Sequence, residues 1–175
     1  MKARHLQAVP RAVDPTEVLS EDSRSQLDLW LAKYPADRRR SAVLAGLRIA
    51  QKQNQGHLND DLIAAVAAYL GIPTTQAYEV ATFYSLFHVG PCGRHKVSIC
   101  TNISCWLNGA DELVSHVEKK LGISTGESTP DGRIHLIEEE ECLAACVRAP
   151  MMWVDGEFHE HLTPEKVDLI LDALK

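Results

Sequence analysis

From Ser20 onward, apolar residues recur at helical spacing. Leu27, Trp30, Leu31 and Tyr34 fall at i, i+3, i+4 and i+7, the stripe of an amphipathic helix that Pro35 should stop. Asp37 can cap a second helix in which Val43, Leu44, Leu47 and Ala50 share a face, ending near Gly56. Asn59 caps a third, whose broad stripe of Leu62, Ile63, Val66, Ala67 and Leu70 is closed by Gly71. Pro73 and Thr74 open a fourth, carrying Ala77, Val80, Ala81 and Tyr84 inward. Short helices with tight connections predict a small helical bundle over residues 20–89. Residues 1–19, with Pro10 and Pro15 and no sustained period, read as a flexible arm.

Gly90-Pro91-Cys92-Gly93 breaks the helical pattern, and beyond it the period becomes two. Val97 and Ile99 alternate with Lys96 and Ser98 in a strand that ends at Cys100, with Cys105 in the loop that follows. A helix from about Gly109 to Leu121 carries Ala110, Leu113, Val114, Val117 and Leu121 on one side and ends at Gly122. Pro130-Asp131-Gly132 turns into a strand marked by Ile134 and Leu136. Met151 to Val154 and Glu157 to His159 flank Asp155-Gly156 as a hairpin. Thr163 and Pro164 begin a last helix that buries Val167, Ile170, Leu171 and Leu174. The order strand, helix, strand, hairpin, helix over residues 90–175 makes a small mixed sheet covered by helices, compatible with a thioredoxin-like domain. The expected fold class is α+β: an N-terminal helical bundle followed by a thioredoxin-like α/β domain.

Composition narrows the function. A chain of 175 residues with 45% apolar side chains can bury a core, and 18 basic against 24 acidic residues leave a net charge of −6. That balance argues against nucleic acid as the main partner. No apolar run approaches the roughly 20 residues that span a bilayer, so a soluble or membrane-peripheral chain is expected. Arg38, Arg39 and Arg40 read as a solvated face, and the eight histidines show no ligand pattern. No Gly-rich phosphate loop is present.

The cysteines change the picture most. Four of the five fall in two close pairs, Cys100 with Cys105 and Cys142 with Cys146. An odd number of clustered cysteines, without an export signal, points to metal binding in a reducing compartment. Soft thiolates select zinc, copper(I) or iron-sulfur clusters, and four of them suit either tetrahedral zinc or a two-iron cluster. The gaps of four and three residues differ from the two-residue knuckles of many zinc sites, and two pairs offer one pair per iron. Spacing leans toward a cluster and leaves zinc open. Thiol redox catalysis of the thioredoxin kind uses two intervening residues, which neither pair has.

The flanking motifs carry a resemblance. Val80-Ala81-Thr82-Phe83-Tyr84-Ser85, Gly93-Arg94-His95, the Cys100 and Cys105 pair, Thr129-Pro130-Asp131-Gly132, Glu141-Cys142-Leu143 through Cys146, and Ala149-Pro150-Met151 resemble the E-subunit family of NADH:quinone oxidoreductase, the respiratory complex I. The match runs in order through residues 24–175. It implies a thioredoxin-like ferredoxin domain with one [2Fe-2S] cluster on Cys100, Cys105, Cys142 and Cys146. It also implies a heterodimer with a flavin- and NADH-binding subunit that carries the FMN and NADH, further peripheral-arm subunits, and a cytoplasmic place at the inner membrane through the complex. Equivalent subunits serve NAD-linked hydrogenases and formate dehydrogenases, and a zinc-stabilised adaptor is the rival of another class. Ala144 stands where the family usually has glycine, so a positive φ there would matter. Cys92 is extra to the ligand set, and Pro150 occupies the place where thioredoxin folds commonly have a cis proline.

The implied chemistry is one-electron transfer, needing no proton acid or nucleophile from this chain. Backbone amides of residues 102–104 and 143–145 are the natural donors to cluster sulfurs, and Trp106 either shields the site or packs on the next helix. Glu138, Glu139, Glu140 and Glu141 immediately precede Cys142, and negative charge near the iron disfavours an added electron. Neutralising all four as glutamines is expected to raise the reduction potential, read by potentiometric titration of the visible spectrum; an unmoved potential would mean that their charge is screened by solvent.

Overall fold

The computed structural model describes residues 13–137 and 142–175. It divides into two compact units, one through Pro91 and one from Cys92.

The first unit is helical: α1 (Pro15–Val18), α2 (Glu21–Leu31), a 3-10 stretch (Ala36–Ala42), α3 (Val43–Gln53), α4 (Asp60–Leu70) and α5 (Thr74–Phe83). Local chemistry sets the ends. Ser20 caps α2 by accepting from the Ser23 N–H at 3.1 Å, and Asn59 Oδ1 caps α4 by accepting from the Leu62 N–H at 2.9 Å. Gly71, at φ +70°, closes α4 in the left-handed conformation. Arg39 reaches back to that end, its Nη2 donating to the Tyr69 carbonyl at 2.8 Å and its Nε to that of Leu70 at 3.3 Å. One member of the arginine run therefore satisfies carbonyls that α4 cannot pair itself. Leu27, Leu47, Ile63, Val66, Leu70, Ala77 and Ala81 form the core. Gly46 allows close packing of α3, since a Cβ there would lie 2.9 Å from Val66 Cγ1.

Several expectations are corrected here. The flexible arm does not extend through residue 19: Asp14 caps α1, and Leu19 is fully buried. Residues 1–12 of that arm lie outside the described residues. Asp37 caps nothing; α3 begins without a side-chain cap behind the 3-10 stretch, and Asp37 instead pairs with the exposed Arg38 at 3.4 Å. Trp30, Leu44 and Tyr84 are exposed rather than inward. Lys33 Nζ sits 3.6 Å over the Trp30 ring, a cation–π contact that suits an aromatic at the surface. The inward positions are taken by Gly46 and Phe87, which a count of large apolar residues at helical spacing passes over.

The second unit contains β1 (His95–Ile99), α6 (Ile103–Leu107), α7 (Ala110–Leu121), β2 (Ile134–Leu136), β3 (Met152–Val154), β4 (Glu157–His159) and α8 (Pro164–Ala173). The sheet order is β2-β1-β3-β4, with β1 and β2 parallel and the other pairs antiparallel. This is the expected mixed sheet. Val97, Ile99, Ile134, Leu136, Met152 and Val154 pack against Leu113 and Val117 of α7 and Val167 and Leu171 of α8. Because β1 is central, even its polar Lys96 and Ser98 are buried; Lys96 Nζ donates to the Gly93 carbonyl at 2.6 Å. The hairpin turn has positive φ at both Asp155 (+51°) and Gly156 (+109°), as two-residue turns of its type require. Among the described residues no helix is long and apolar enough to cross a membrane.

The approach of Gly93 to β2 has a measurable cost. A Cβ at Gly93 would lie 2.4 Å from the Ile134 carbonyl carbon and 2.6 Å from His135 N, backbone atoms that cannot rotate aside. Gly93→Ala is expected to destabilise the chain by about 2–3 kcal/mol in urea unfolding, against about 1 kcal/mol for the cap variant Asn59→Ala.

Candidate metal centre

The four paired cysteines reach one place from two segments of the chain. Cys100 follows the last residue of β1, and its N–H donates to the Met151 carbonyl at 3.1 Å, which ties the end of β1 to the start of β3. Cys105 lies on α6 rather than in an irregular loop, correcting that expectation. Asn102 makes the turn possible: its Oδ1 accepts from the Ile103 N–H at 3.0 Å. At the other end Asn108 Nδ2 donates to the Ser104 carbonyl at 2.7 Å. A five-residue helix is too short for periodicity to reveal, although Asn102 at its head is a legible capping signal.

Cys142 and Cys146 come from the segment before β3, Cys146 opening a 3-10 turn through Arg148. Their Sγ atoms are 3.8 Å apart. That is far beyond the roughly 2.05 Å of a disulfide and matches the edge of a tetrahedron of metal–sulfur bonds of about 2.3 Å. Between them Ala144 adopts φ +58°, the left-handed region that favours glycine, and its N–H points at Cys142 Sγ from 3.4 Å. The positive φ that would make glycine suitable at this position is therefore present. The carbonyl of Arg148 accepts from the His161 N–H at 2.9 Å, its side chain pairs with Glu160, and the Ala149-Pro150 bond is cis.

The Cys100 thiol is in hydrogen-bonding contact with Cys105 and Cys142, so the two pairs meet. Burial pushes its pKa up, but N–H groups of Leu143 and Asn102, helped by the neighbouring thiols, outweigh burial and leave it below the ordinary value. Burial, and then Cys100 beside it, push Cys105 up to about 11 despite the Met151 N–H. Cys146 is raised chiefly by the Cys142 thiol. Such thiols cannot all ionise unaided, because each thiolate disfavours the next. A multiply positive metal centre is what would let all four carry charge together. The donor chemistry thus fits an iron-sulfur group. Among the described residues, no three His, Cys, Asp or Glu side chains are grouped to hold a single metal ion.

Exposure is uneven. Cys100 and Cys105 are 2% exposed, packed with Ala110 and Met151, whereas Cys142 and Cys146 face solvent. Ile103, Trp106 and Leu107 of α6 and Val147 beside Cys146 are also exposed, so the indole of Trp106 is not packed into the interior. Glu138 to Glu141 lie outside the described residues. Cys92 is partly buried at the head of the second unit. Three histidines are paired: His95 with Asp155 at 2.6 Å, His116 with Asp168 at 2.8 Å, and His135 with Ser128 at 3.0 Å.

Residues 27–175 match the family described as thioredoxin-like [2Fe-2S] ferredoxin. The chain is 44% identical over 145 residues to the NADH-quinone oxidoreductase E subunit of Rickettsia bellii (strain RML369-C), covering 83% of this chain and 86% of that protein. It is 42% identical over 152 residues to the NADH-quinone oxidoreductase E subunit numbered 2 of Rhizobium meliloti (strain 1021), covering 87% and 88%. An NAD+-reducing [NiFe]-hydrogenase in the air-oxidized state superposes with a TM-score of 0.65 at 21% identity. That match covers 75% of this chain and 22% of the hydrogenase chain, and it speaks to the fold alone.

In the chain stripped of metal under reducing conditions, exposure sets the order of thiol alkylation. Cys142 and Cys146 are expected to react with iodoacetamide well before Cys100 and Cys105, as read by peptide mass spectrometry.

Proposed function

This chain belongs to the thioredoxin-like [2Fe-2S] ferredoxin family, and on that premise we propose that it is the electron-transfer component of the NADH dehydrogenase module of an NADH:quinone oxidoreductase. The observation that carries the reading is the meeting of Cys100, Cys105, Cys142 and Cys146 in one site built from two loops. The names of the relatives at 44% and 42% identity support the parent complex.

The four cysteines hold the [2Fe-2S] cluster, and the cluster supplies one-electron oxidation and reduction. The chain's own residues do the rest. N–H groups of Asn102, Leu143, Ala144 and Met151 point at thiol sulfurs and stabilise negative charge on them. Met151, Ala110 and the partly buried Leu143, Ala145 and Ala149 give the buried side of the site apolar walls. Those walls limit water access and so tune the potential. Electrons are exchanged with the FMN of a partner subunit, which binds NADH, and this chain is not catalytic by itself. The exposed side of the site, with Cys142, Cys146 and the apolar Ile103, Trp106, Leu107 and Val147 nearby, supports exchange on that side. The helical unit through Pro91 serves assembly, and the unit from Cys92 serves the cluster. Through the complex the chain sits on the cytoplasmic side of the inner membrane.

Purified anaerobically, the chain is expected to be brown, with visible charge-transfer absorption, about two irons per chain and a paramagnetic signal on reduction. Colourless protein with stoichiometric zinc overturns the reading. Co-purification with a flavin-containing subunit tests the assignment of the partner.

A further inference from the structure

We propose that Ser104 is a positioning residue for the cluster, setting the separation of the two cysteine pairs; this rests on the reading of the four cysteines as its ligands. Ser104 Oγ donates to the carbonyl of Cys146 at 3.1 Å, across 42 positions of sequence. The donor is the residue before Cys105, and the acceptor belongs to Cys146 itself. The bond therefore joins the segment of one pair to the backbone of the other, across the site.

Apart from Met151, whose carbonyl and N–H face Cys100 and Cys105, each loop is otherwise tied within its own surroundings. On the first, Asn102 caps α6, the Trp106 N–H donates to the Asn102 carbonyl at 2.8 Å, and Asn108 Nδ2 holds the Ser104 carbonyl at 2.7 Å. Those bonds make α6 a rigid mount and leave the Ser104 hydroxyl aimed outward at the second loop. On that second loop, the His161 and Leu162 N–H groups hold the carbonyls of Arg148 and Pro150, both of which follow Cys146 in sequence. Cys146 is also an exposed member of the site, where release of a ligand would begin. A hydroxyl that pins its carbonyl to α6 restrains a ligand that solvent can reach. The Leu143 N–H, donating to the Cys100 sulfur, bridges the loops at their other end. Together with the Met151 contacts to Cys100 and Cys105, the two bonds fix both the distance and the tilt between the pairs.

The test uses the full chain loaded with its cluster, as wild type, Ser104→Ala and Ser104→Thr. Cluster loss is followed by visible absorbance under excess chelator, and the reduced proteins are compared by electron paramagnetic resonance. Ser104→Ala is expected to lose its cluster about 3- to 10-fold faster, the factor that one hydrogen bond supplies, and to show changed g-anisotropy. Ser104→Thr, which keeps the hydroxyl, should match wild type in both, and thermal unfolding of the metal-free chains should be alike in all three. Wild-type release and an unchanged signal in Ser104→Ala overturn the proposal, as does a threonine variant as fast as the alanine one. A wild type that never takes up colour instead removes the cluster reading, and this role with it.

Discussion

Four thiols in contact are an electrostatic problem, and the second unit is organised around it. Each thiolate raises the cost of the next, which is why Cys105, already disfavoured by burial, is pushed to about 11 and Cys146 is raised by Cys142. Burial makes the cost larger on the inner side, where Cys100 and Cys105 are 2% exposed. The protein answers with backbone N–H groups from Asn102, Leu143, Ala144 and Met151. A positively charged centre supplies what these dipoles cannot. On the proposed reading, binding of that centre and ionisation of its ligands would be one coupled event.

Holding the thiols together demands a mount that does not yield. The central strand β1 meets β2 on one side and β3 on the other, so Cys100 leaves a strand paired on both edges. The Cys100 N–H to Met151 carbonyl bond extends the β1–β3 ladder by one link into the site. Met151 thereby holds both members of the inner pair, its carbonyl accepting from the Cys100 N–H and its own N–H facing Cys105. Asn102 and Asn108 turn the following segment into a helix only five residues long, stiff enough to aim both Cys105 and Ser104. The outer pair has fewer such supports, and its exposure suits the electron exchange proposed for this site.

Much of this was legible in the residues, and the failures have physical causes. Capping at Asn59 and Thr163, and helix ends at Gly71 and Gly122, depend on local hydrogen bonding and on positive φ, so they could be read directly. The hairpin at Asp155-Gly156 is local in the same sense. Asp37 misled because a capping side chain is useful only where a helix begins, and packing moved the start of α3 to Val43. Trp30, Leu44 and Tyr84 misled because periodicity marks a face without saying how wide the covered stripe is. Gly46 and Phe87 complete the core where those residues do not. Ala144 was legible as a departure from the family pattern; its φ of +58° is a property of the folded loop.

The two cysteine pairs, their softness as donors and the class of centre they can hold were determined by sequence, because ligand chemistry belongs to the side chain and short spacings belong to a single loop. Tertiary structure alone decided that the loops meet, which pair is buried, that the Met151 N–H faces Cys105, and that Ser104 reaches Cys146. Those relations join residues some 42 positions apart, and they are set by strand pairing, a cap and the closing of one loop over another. Local sequence carries no record of such distances, since they are fixed only when the sheet and its helices pack.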